Sequence, residues 1–280
     1  MTRTIACLLL ASSLAMFGQT KPGKRTIFVV TDAEGVAGVC RQGLTETTSP
    51  ELRQLLTGEV NAAVEGFFAG GADEVIVWDG HGGSATLSAA TIHPRARLGV
   101  GDGGMLFSRG LAGVAFVGQH ARANRRPAVM AHSFSSLGIQ HMLMNGKPVG
   151  EIETLSALAG SFGVPVIFLS GDQAAVEDLR AVAPEAVGVA VKEGLAYYAC
   201  ISMSATAARE AIQQGAERSM KEIGRMRPYK VEGPVTIQVE YTTRSTLPAQ
   251  LSSAVEVVDA RTLRFNGKSF LEAWKLYRWR

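Results

Sequence analysis

Long apolar runs and long basic runs are both missing from most of this 280-residue chain. Beyond residue 20 there is no stretch of about 18 continuous apolar residues, so we expect no membrane span in the mature protein. No tract of lysines and arginines is long enough to follow a nucleic-acid backbone, and the formal net charge is only +3. We therefore expect no nucleic-acid partner. The phosphate-binding pattern G-x-x-x-x-G-K-[ST] is also absent.

Cysteine is scarce, with three residues at Cys7, Cys40 and Cys200. Three cysteines cannot build a disulfide framework or a four-thiolate zinc site. Cys7 lies in a leader-like segment over residues 1–20, where a positive start precedes an apolar run over residues 5–17. This layout is typical of a secretory signal peptide, so we expect an exported protein, periplasmic or secreted. Cys40 and Cys200 could then pair in an oxidising compartment, but the sequence does not show whether they meet.

Strand-like and helix-like segments alternate along the chain, of which 46% is hydrophobic. Residues 26–31 and 74–78 are short β-branched runs typical of buried strands. Residues 50–69 between them carry apolar side chains at helical spacing, with Ser49 as the predicted N-cap. A strand, a helix and a strand in this order predict a right-handed crossover with parallel pairing.

The same alternation continues to the end of the chain. We predict further strands over 113–117, 164–169, 188–191, 235–241 and 254–259, and further helices over 150–162, 173–182, 204–226 and 269–277. The predicted fold class is α/β, an open and mostly parallel sheet with flanking helices plus a smaller C-terminal α+β portion. After the leader over residues 1–20, we place the larger α/β domain at residues 21–200 and the smaller portion at residues 201–280.

Acidic residues and histidines directly follow three of the predicted strands. Asp32 and Glu34 come after the first strand, Asp79 and His81 after the second, and His120 after the third. The C-terminal ends of parallel strands meet at one edge of a sheet, which is where ligands bind in open α/β folds. Residues two apart in an extended chain point the same way, which pairs Asp32 with Glu34 and Asp79 with His81.

Carboxylates held close together repel one another unless a cation lies between them. Nearby histidines make a divalent metal ion the simplest cation, because imidazole and carboxylate suit zinc as well as manganese, iron or cobalt. Each residue also has an ordinary interpretation, with Asp32 and Glu34 as a polar strand end and His81 as a turn residue in a glycine-rich loop. Their joint occurrence after several strands is what favours a metal site.

Four other polar residues receive separate interpretations. We interpret His93 as a surface-loop residue and His141 as a core histidine. Glu151 begins a predicted helix, where a carboxylate interacts favourably with the helix dipole in any case. Asp79 is our candidate to accept the free N–H of a ligating histidine and so fix its tautomer.

The motifs around these residues resemble those of the D-aminopeptidase family of binuclear zinc peptidases, peptidase family M55. In chain order they are Asp32-Ala33-Glu34-Gly35 with Gly38 following, Asp79-Gly80-His81, Gly118-Gln119-His120-Ala121, Ala131-His132-Ser133 and Pro148-Val149-Gly150-Glu151. The resemblance covers roughly residues 26–277. The family has Asp-Met-Glu-Gly and Asp-Ser-His-Ser where this chain has Ala33, Gly80 and Gly82, which changes the expected lining of the pocket.

The resemblance implies two divalent ions, most simply Zn²⁺, bridged by Asp32. The implied metal ligands are Asp32, Glu34, His81, His120 and Glu151. The family's catalytic histidine falls on His132, which we expect to move a proton to the leaving amine or to stabilise the oxyanion. A small peptide substrate and a ring-like homo-oligomer are also implied. The domain over residues 21–200 is therefore the expected metal-binding catalytic domain.

The activity implied by the resemblance is that of a metallo-aminopeptidase. It would remove N-terminal D-residues, D-Ala above all, from short peptides by means of a water molecule activated by two metal ions. The residues alone leave two other hypotheses open: a dinuclear hydrolase of another amide or ester, and a non-catalytic envelope binding protein of the same fold. No residue in the sequence by itself shows the chirality of the substrate.

Overall fold

The computed structural model describes residues 23–244 and 252–278, so the predicted leader over residues 1–20 lies outside the described part. The strands are β1 (Thr26–Thr31), β2 (Glu74–Asp79), β3 (Ala96–Gly99), β4 (Gly113–Gln119), β5 (Ile139–Met144), β6 (Lys147–Pro148), β7 (Val166–Asp172), β8 (Val187–Ala196), β9 (Ala199–Ser202), β10 (Val235–Tyr241), β11 (Val255–Val257) and β12 (Thr262–Gly267). The helices are α1 (Pro50–Ala69), α2 (Glu151–Ser161), α3 (Gln173–Val182), α4 (Ala205–Glu222) and α5 (Phe270–Arg278). Within these residues, no helix combines the length and apolarity that crossing a bilayer requires.

The larger sheet has seven strands in the order β3-β2-β1-β4-β7-β8-β9. Six of its strands are parallel, and β9 runs antiparallel to β8. The strand order reverses direction between β1 and β4, and in open α/β sheets this reversal leaves a crevice at the C-terminal strand ends. The predicted α/β class with a mostly parallel sheet is therefore confirmed.

The smaller sheet has five antiparallel strands in the order β11-β12-β10-β5-β6. Two of its strands, β5 and β6, lie within the first 200 residues. Strand β5 joins this sheet by pairing with β10, where buried Met142 and Met144 lie opposite Val239 and Ile237. Conversely, α4 follows residue 200 but packs against α1 beside the larger sheet. The two sheets therefore do not separate at residue 200, where the sequence analysis divides the chain.

Strand β1 is buried along its whole length, and its alternate side chains enter two hydrophobic cores. Ile27 and Val29 pack into the core formed with α1 and α4. Phe28 and Val30 pack into the opposite core, which includes residues of α2, α3, α5 and the smaller sheet. Burial of each such side chain contributes about 1.5–3 kcal/mol, so the end of β1 is a firm anchor for the residue that follows it.

Helix α1 begins and ends where the sequence predicts. The Oγ of Ser49 accepts a hydrogen bond from the backbone N–H of Leu52 at 3.3 Å, which confirms Ser49 as the N-cap. Strands β3, β5, β6, β9 and β12 are absent from the sequence prediction. Most of them are short or lie at a sheet edge, and such strands lack the continuous buried run that identifies β1.

Candidate metal centre

Four of the expected metal ligands follow or begin elements that converge at the reversal point of the larger sheet. Asp32 directly follows β1, His81 follows β2 by two residues, and His120 directly follows β4. Glu151 is the first residue of α2. The backbone N–H of Asp32 donates to the carbonyl of Val117 in β4 at 2.9 Å, which fixes Asp32 beside the end of that strand.

Two glycines allow the ends of β1 and β4 to approach this closely. Gly118 has a φ of +76°, and a Cβ at that position would collide with the backbone carbonyl of Asp32. A Cβ at Gly35 would collide with the backbone of Gln119. Both positions therefore require glycine, and the contact brings the chain segments carrying Asp32 and His120 together.

Asp32 lies between two imidazole rings. Its Oδ1 is 3.1 Å from Nδ1 of His81, and its Oδ2 is 3.2 Å from Nε2 of His120. Glu34 Oε2 lies 3.4 Å from the same nitrogen of His81, and Glu151 Oε1 lies 3.6 Å from the same nitrogen of His120. The five side chains thus form two adjacent groups that share Asp32, as a bridging carboxylate between two cations requires.

The backbone selects which nitrogen of each histidine faces the centre. His81 Nε2 lies 2.7 Å from the carbonyl of Thr45, and His120 Nδ1 lies 2.9 Å from the carbonyl of Ala121. A carbonyl oxygen only accepts, so these nitrogens carry the proton in the neutral rings. The lone pairs of His81 Nδ1 and His120 Nε2 then point at the carboxylates, which is the arrangement a metal ligand needs.

The expectation that Asp79 orients a ligating histidine is wrong. Asp79 is the last residue of β2, and its Oδ2 accepts the backbone N–H groups of Thr86 and Leu87 at 2.7 and 2.8 Å. Its carboxylate shapes the glycine-rich loop that carries His81 and makes no hydrogen bond to a histidine in the described part of the chain. Carbonyl oxygens take the role we had assigned to it.

Without a cation, protons balance the charge of the carboxylates. Burial opposes charging of both histidines, but the hydrogen bond with Asp32 and the negative charges of Asp32 and Glu34 raise the pKa of His81 to about 11. The charges of Glu151 and Asp32 likewise raise the pKa of His120 to about 10 against the effect of burial. Burial also acts on Asp32, yet the two imidazolium groups hold its pKa well below the usual range. Positive charge is therefore strongly favoured at this position.

Two buried ligand atoms have no hydrogen-bond partner among the described residues, namely Glu34 Oε2 and His120 Nε2. An unpartnered buried carboxylate oxygen is costly unless a cation satisfies it. Candidate ligand atoms of Asp32, Glu34 and His120 lie within 4.8 Å of one another, and so do those of His120, His132 and Glu151. Mixed imidazole and carboxylate donors at these separations fit two divalent metal ions.

A buried lysine far along the chain holds the loop that carries Glu34. Lys192 of β8 donates from Nζ to the backbone carbonyls of Glu34, Val36 and Val39, the second at 3.0 Å. Burial lowers the pKa of Lys192 to about 8, which leaves the ammonium group charged at neutral pH. All three of its protons are donated to backbone carbonyls of the turn after β1, and these hydrogen bonds hold the turn in its conformation.

His132 stands beside the centre and lines the same cavity. Its ring stacks on that of His120 with centroids 3.9 Å apart, and its Nδ1 lies 2.8 Å from the carbonyl of Met130. The proton on Nδ1 of the neutral ring leaves Nε2 as a base. His132 therefore lies where a group that handles a substrate proton would be needed.

The other predicted polar residues do not reach the centre. His93 pairs with Glu65 at 2.8 Å on the surface, and His141 is half-buried in β5. Gln119 was not predicted as a site residue, but its Nε2 donates to Asp32 Oδ2 at 3.1 Å. Lys192 was not predicted either, because no local signal in the sequence points to a lysine that binds a loop 158 residues away.

A cavity of about 840 Å³ opens at the centre. Asp32, Glu34, His81, His132 and Glu151 line one part of it, and apolar side chains line another. The apolar residues are Val30, Trp78, Phe134, Leu137, Leu155, Leu158 and Trp274. A cavity of this size holds a molecule of several residues or of drug size.

An open α/β fold with grouped imidazole and carboxylate side chains beside a large cavity is typical of a metal-dependent enzyme. The sequence profile of the peptidase M55 family, described as D-aminopeptidase, matches residues 26–279. The chain belongs to this family of peptidases.

Two comparisons with individual proteins agree with this assignment. The chain is 27% identical over 259 residues to a D-aminopeptidase of Bacillus subtilis (strain 168), which covers 89% of this chain and 94% of the relative. It is also similar to a solved structure described as the Zn-dependent D-aminopeptidase DppA from Bacillus subtilis, a self-compartmentalizing protease. The TM-score is 0.80 at 25% identity, and the match covers 90% of this chain and 95% of the other. The family expected from the sequence motifs is confirmed.

The raised pKa values of His81 and His120 predict that divalent metal ions bind in exchange for protons. Below about pH 10 both rings are imidazolium groups with two N–H protons, and each must lose one of the two to become a ligand. We therefore expect metal binding to release about two protons per chain at pH 7. The affinity for the metal ions should then rise by roughly tenfold per released proton for each pH unit. Calorimetric titration of the metal-free protein in two buffers of different ionisation enthalpy measures this number. His81→Ala should release about one proton fewer, and pH-independent binding would contradict the assignment.

Proposed function

We propose that this protein is a metal-dependent aminopeptidase that removes N-terminal D-residues, with D-Ala as the main residue, from short peptides. The observation that carries the proposal is Asp32, placed between His81 and His120 with Glu34 and Glu151 on either side. Family membership supports the peptidase activity, and the similarity to a zinc-dependent relative supports zinc as the metal ion. Two divalent ions, when bound, supply electrophilic polarisation of a carbonyl and a water of lowered pKa.

In this proposal each side chain has a separate task. Asp32 would contribute to both ion positions, Glu34 and His81 would hold one ion, and His120 and Glu151 would hold the other. Together the three carboxylates bring three negative charges, which nearly balance two divalent ions in a site poor in water. A hydrolase of another amide or ester would share this centre, but the similarity to D-aminopeptidases favours peptide substrates.

His132 is proposed as the group that transfers the substrate proton. Its ring lies against His120 and faces the cavity, and its Nδ1 proton is directed at the Met130 carbonyl. Nε2 carries no proton in this tautomer, so it would first take one from the attacking water and then pass it to the leaving amine. A positioned general acid of this kind contributes about 10²–10⁴-fold to the rate.

A direct experiment separates ion binding from catalysis. We expect close to two divalent ions per chain by mass spectrometry and cleavage of D-Ala-D-Ala in preference to L-Ala-L-Ala. His132→Ala should retain both ions and lose at least about 100-fold in kcat. His93→Ala, which removes a histidine paired at the surface, is the matched control and should leave kcat unchanged.

Three results would contradict parts of this proposal. An ion content near zero would contradict the proposed metallopeptidase activity and would favour a non-catalytic binding protein. Cleavage of the L-isomer alone would remove the stereochemical assignment. Loss of ions from His132→Ala would show that His132 is a ligand and not the proton-transfer group.

We also propose that the chain forms a homo-oligomer, as the self-compartmentalizing relative does. The hairpin of β8 and β9 supports this, because β9 forms an edge of the larger sheet and carries exposed apolar side chains around it. These are Leu195, Tyr197, Tyr198, Ile201 and Met203, each between 42% and 62% exposed. An apolar patch on a sheet edge is typical of a subunit contact.

The proposed subunit contact at the β8–β9 hairpin can be tested by introducing one charged side chain. Ile201→Glu should lower the mass of the assembly measured by light scattering, because a buried carboxylate at the contact would be unpaired. Val257→Glu places the same charge on an apolar side chain of the other sheet that is 51% exposed, and it should leave the mass unchanged. A wild-type monomer, or an Ile201→Glu assembly of wild-type mass, would overturn this assignment.

Export remains our proposal for the location of the protein. It is supported by the apolar run over residues 5–17 and by a disulfide between Cys40 and Cys200, whose Cα atoms are 6.0 Å apart. Disulfides persist in oxidising compartments and are rare in the cytosol. The mass of the protein from the producing cell should correspond to a chain starting near residues 18–21 with no free thiol. A full-length chain with reduced cysteines in the cytosol would contradict it.

A further inference from the structure

Two leucines of α2 line the cavity beyond Glu151, and we call this part of the cavity lining the apolar arm. Glu151, Leu155 and Leu158 lie at positions i, i+4 and i+7 of this helix, and all three line the cavity. These positions share one face of a helix. Seven residues of helix rise about 10.5 Å, so the arm reaches well beyond the carboxylate at the start of α2.

Helix α5 forms the facing wall of this arm. The ring of Trp274 lies 5.8 Å from that of Phe134, and the backbone N–H of Phe134 donates to Oε1 of Glu151. The wall is therefore continuous from the metal centre to α5. Arg278 follows Trp274 by four residues on the same helix face and lines the same cavity.

Arg278 is the one lysine or arginine among the described residues that line the cavity. Its guanidinium group lies 3.8 Å from Oδ1 of Asp102, which is beyond hydrogen-bond distance. Both side chains are well exposed, at 44% and 61%, so this ion pair holds the guanidinium only weakly. Asp102 Oδ1 is in addition the acceptor for the backbone N–H of Gly104 at 2.9 Å. The cavity thus offers a planar cationic group that matches a carboxylate.

We propose that the apolar arm binds the leaving-group side of the peptide and that Arg278 binds its C-terminal carboxylate. This inference rests on the proposed function and specifies its substrate class. An extended peptide spans at most about 3.3–3.6 Å per residue, so three residues span about 10–11 Å, close to the length of the arm along α2. The preferred substrates are then dipeptides and tripeptides with a free carboxylate and an apolar residue after the first.

The test compares each peptide with its C-terminal amide. For the wild-type enzyme with D-Ala-D-Leu and D-Ala-Gly-D-Leu, we expect KM to be roughly tenfold lower for the acid than for the amide, with similar kcat. Arg278→Gln should raise KM for the acids by about the same factor and leave the amides unchanged. Arg278→Lys, which keeps the charge and loses the planar fork, should give an intermediate value.

Lys275→Gln is the matched control, because Lys275 is an exposed cation of the same helix that does not line the cavity. It should behave as the wild type with acids and amides alike. Equal KM for acid and amide in the wild type would overturn the proposal. An equal effect of Arg278→Gln on both would also overturn it, since that would indicate damage to α5.

A binding measurement separates this inference from the proposed function. Calorimetric titration of the same acids and amides into the His132→Ala variant, and into His132→Ala combined with Arg278→Gln, needs no turnover. A preference for the acid that disappears with Arg278 supports the subsite even if the wild type cleaves no D-peptide. Absence of the preference contradicts the subsite even if peptide cleavage proceeds as expected.

Discussion

The structure depends on one electrostatic constraint: three carboxylates and two imidazoles share a rim that is largely shielded from water. Asp32, Glu34 and Glu151 cannot all be ionised there without positive charge between them, and the metal-free protein supplies it as protons on His81 and His120. The carbonyls of Thr45 and Ala121 direct the remaining ring N–H groups outward. The same geometry that makes the histidines strong bases therefore also suits them to bind a metal ion, and the two buried atoms without a hydrogen-bond partner lie at this point of convergence.

The scaffold holds this charge in place through contacts that span the chain. Lys192 fixes the turn after β1 by three hydrogen bonds to its carbonyls, and the Cys40–Cys200 disulfide ties the end of that turn to β9. Loss of the ammonium group would leave three carbonyls without their donor, and each unsatisfied buried group costs about 1–3 kcal/mol. The Glu34 carboxylate is therefore held by its backbone more than by its own side-chain contacts. A ligand on such a turn is positioned before any metal ion binds, which lowers the cost of assembling the site.

Much of this could be predicted from the sequence, because the strand ends that carry Asp32, His81 and His120 are local signals, and so is the capped helix α1. The family was predicted from five short motifs in register. The features that could not be predicted are those that depend on tertiary contacts. The pairing of β5 with β10 joins residues that are about 100 positions apart in the sequence. Lys192 binds a turn that is even further away in the sequence. The tautomers of His81 and His120 depend on backbone carbonyls, and every residue has a carbonyl, so the sequence does not show which one is close. Asp79 was misassigned because alternation along β2 says which way a carboxylate points, but not that two nearby N–H groups will bind it.

The proposed catalytic histidine and the proposed subunit contact are physically linked. His132 lies between Met130 and Phe134, which both have positive φ values, of 45° and 59°, and such backbone costs about 1–3 kcal/mol each in a residue other than glycine. Hydrogen bonds to Ala121, Val149 and Glu151 hold this segment in place, and a further one joins the Met130 N–H to the carbonyl of Tyr197 in the β8–β9 hairpin at 2.9 Å. A strained segment keeps its conformation only while its surroundings are rigid. An oligomer contact on the hairpin would add rigidity beside the residue that has to transfer the proton, so assembly and catalysis would depend on the same few hydrogen bonds.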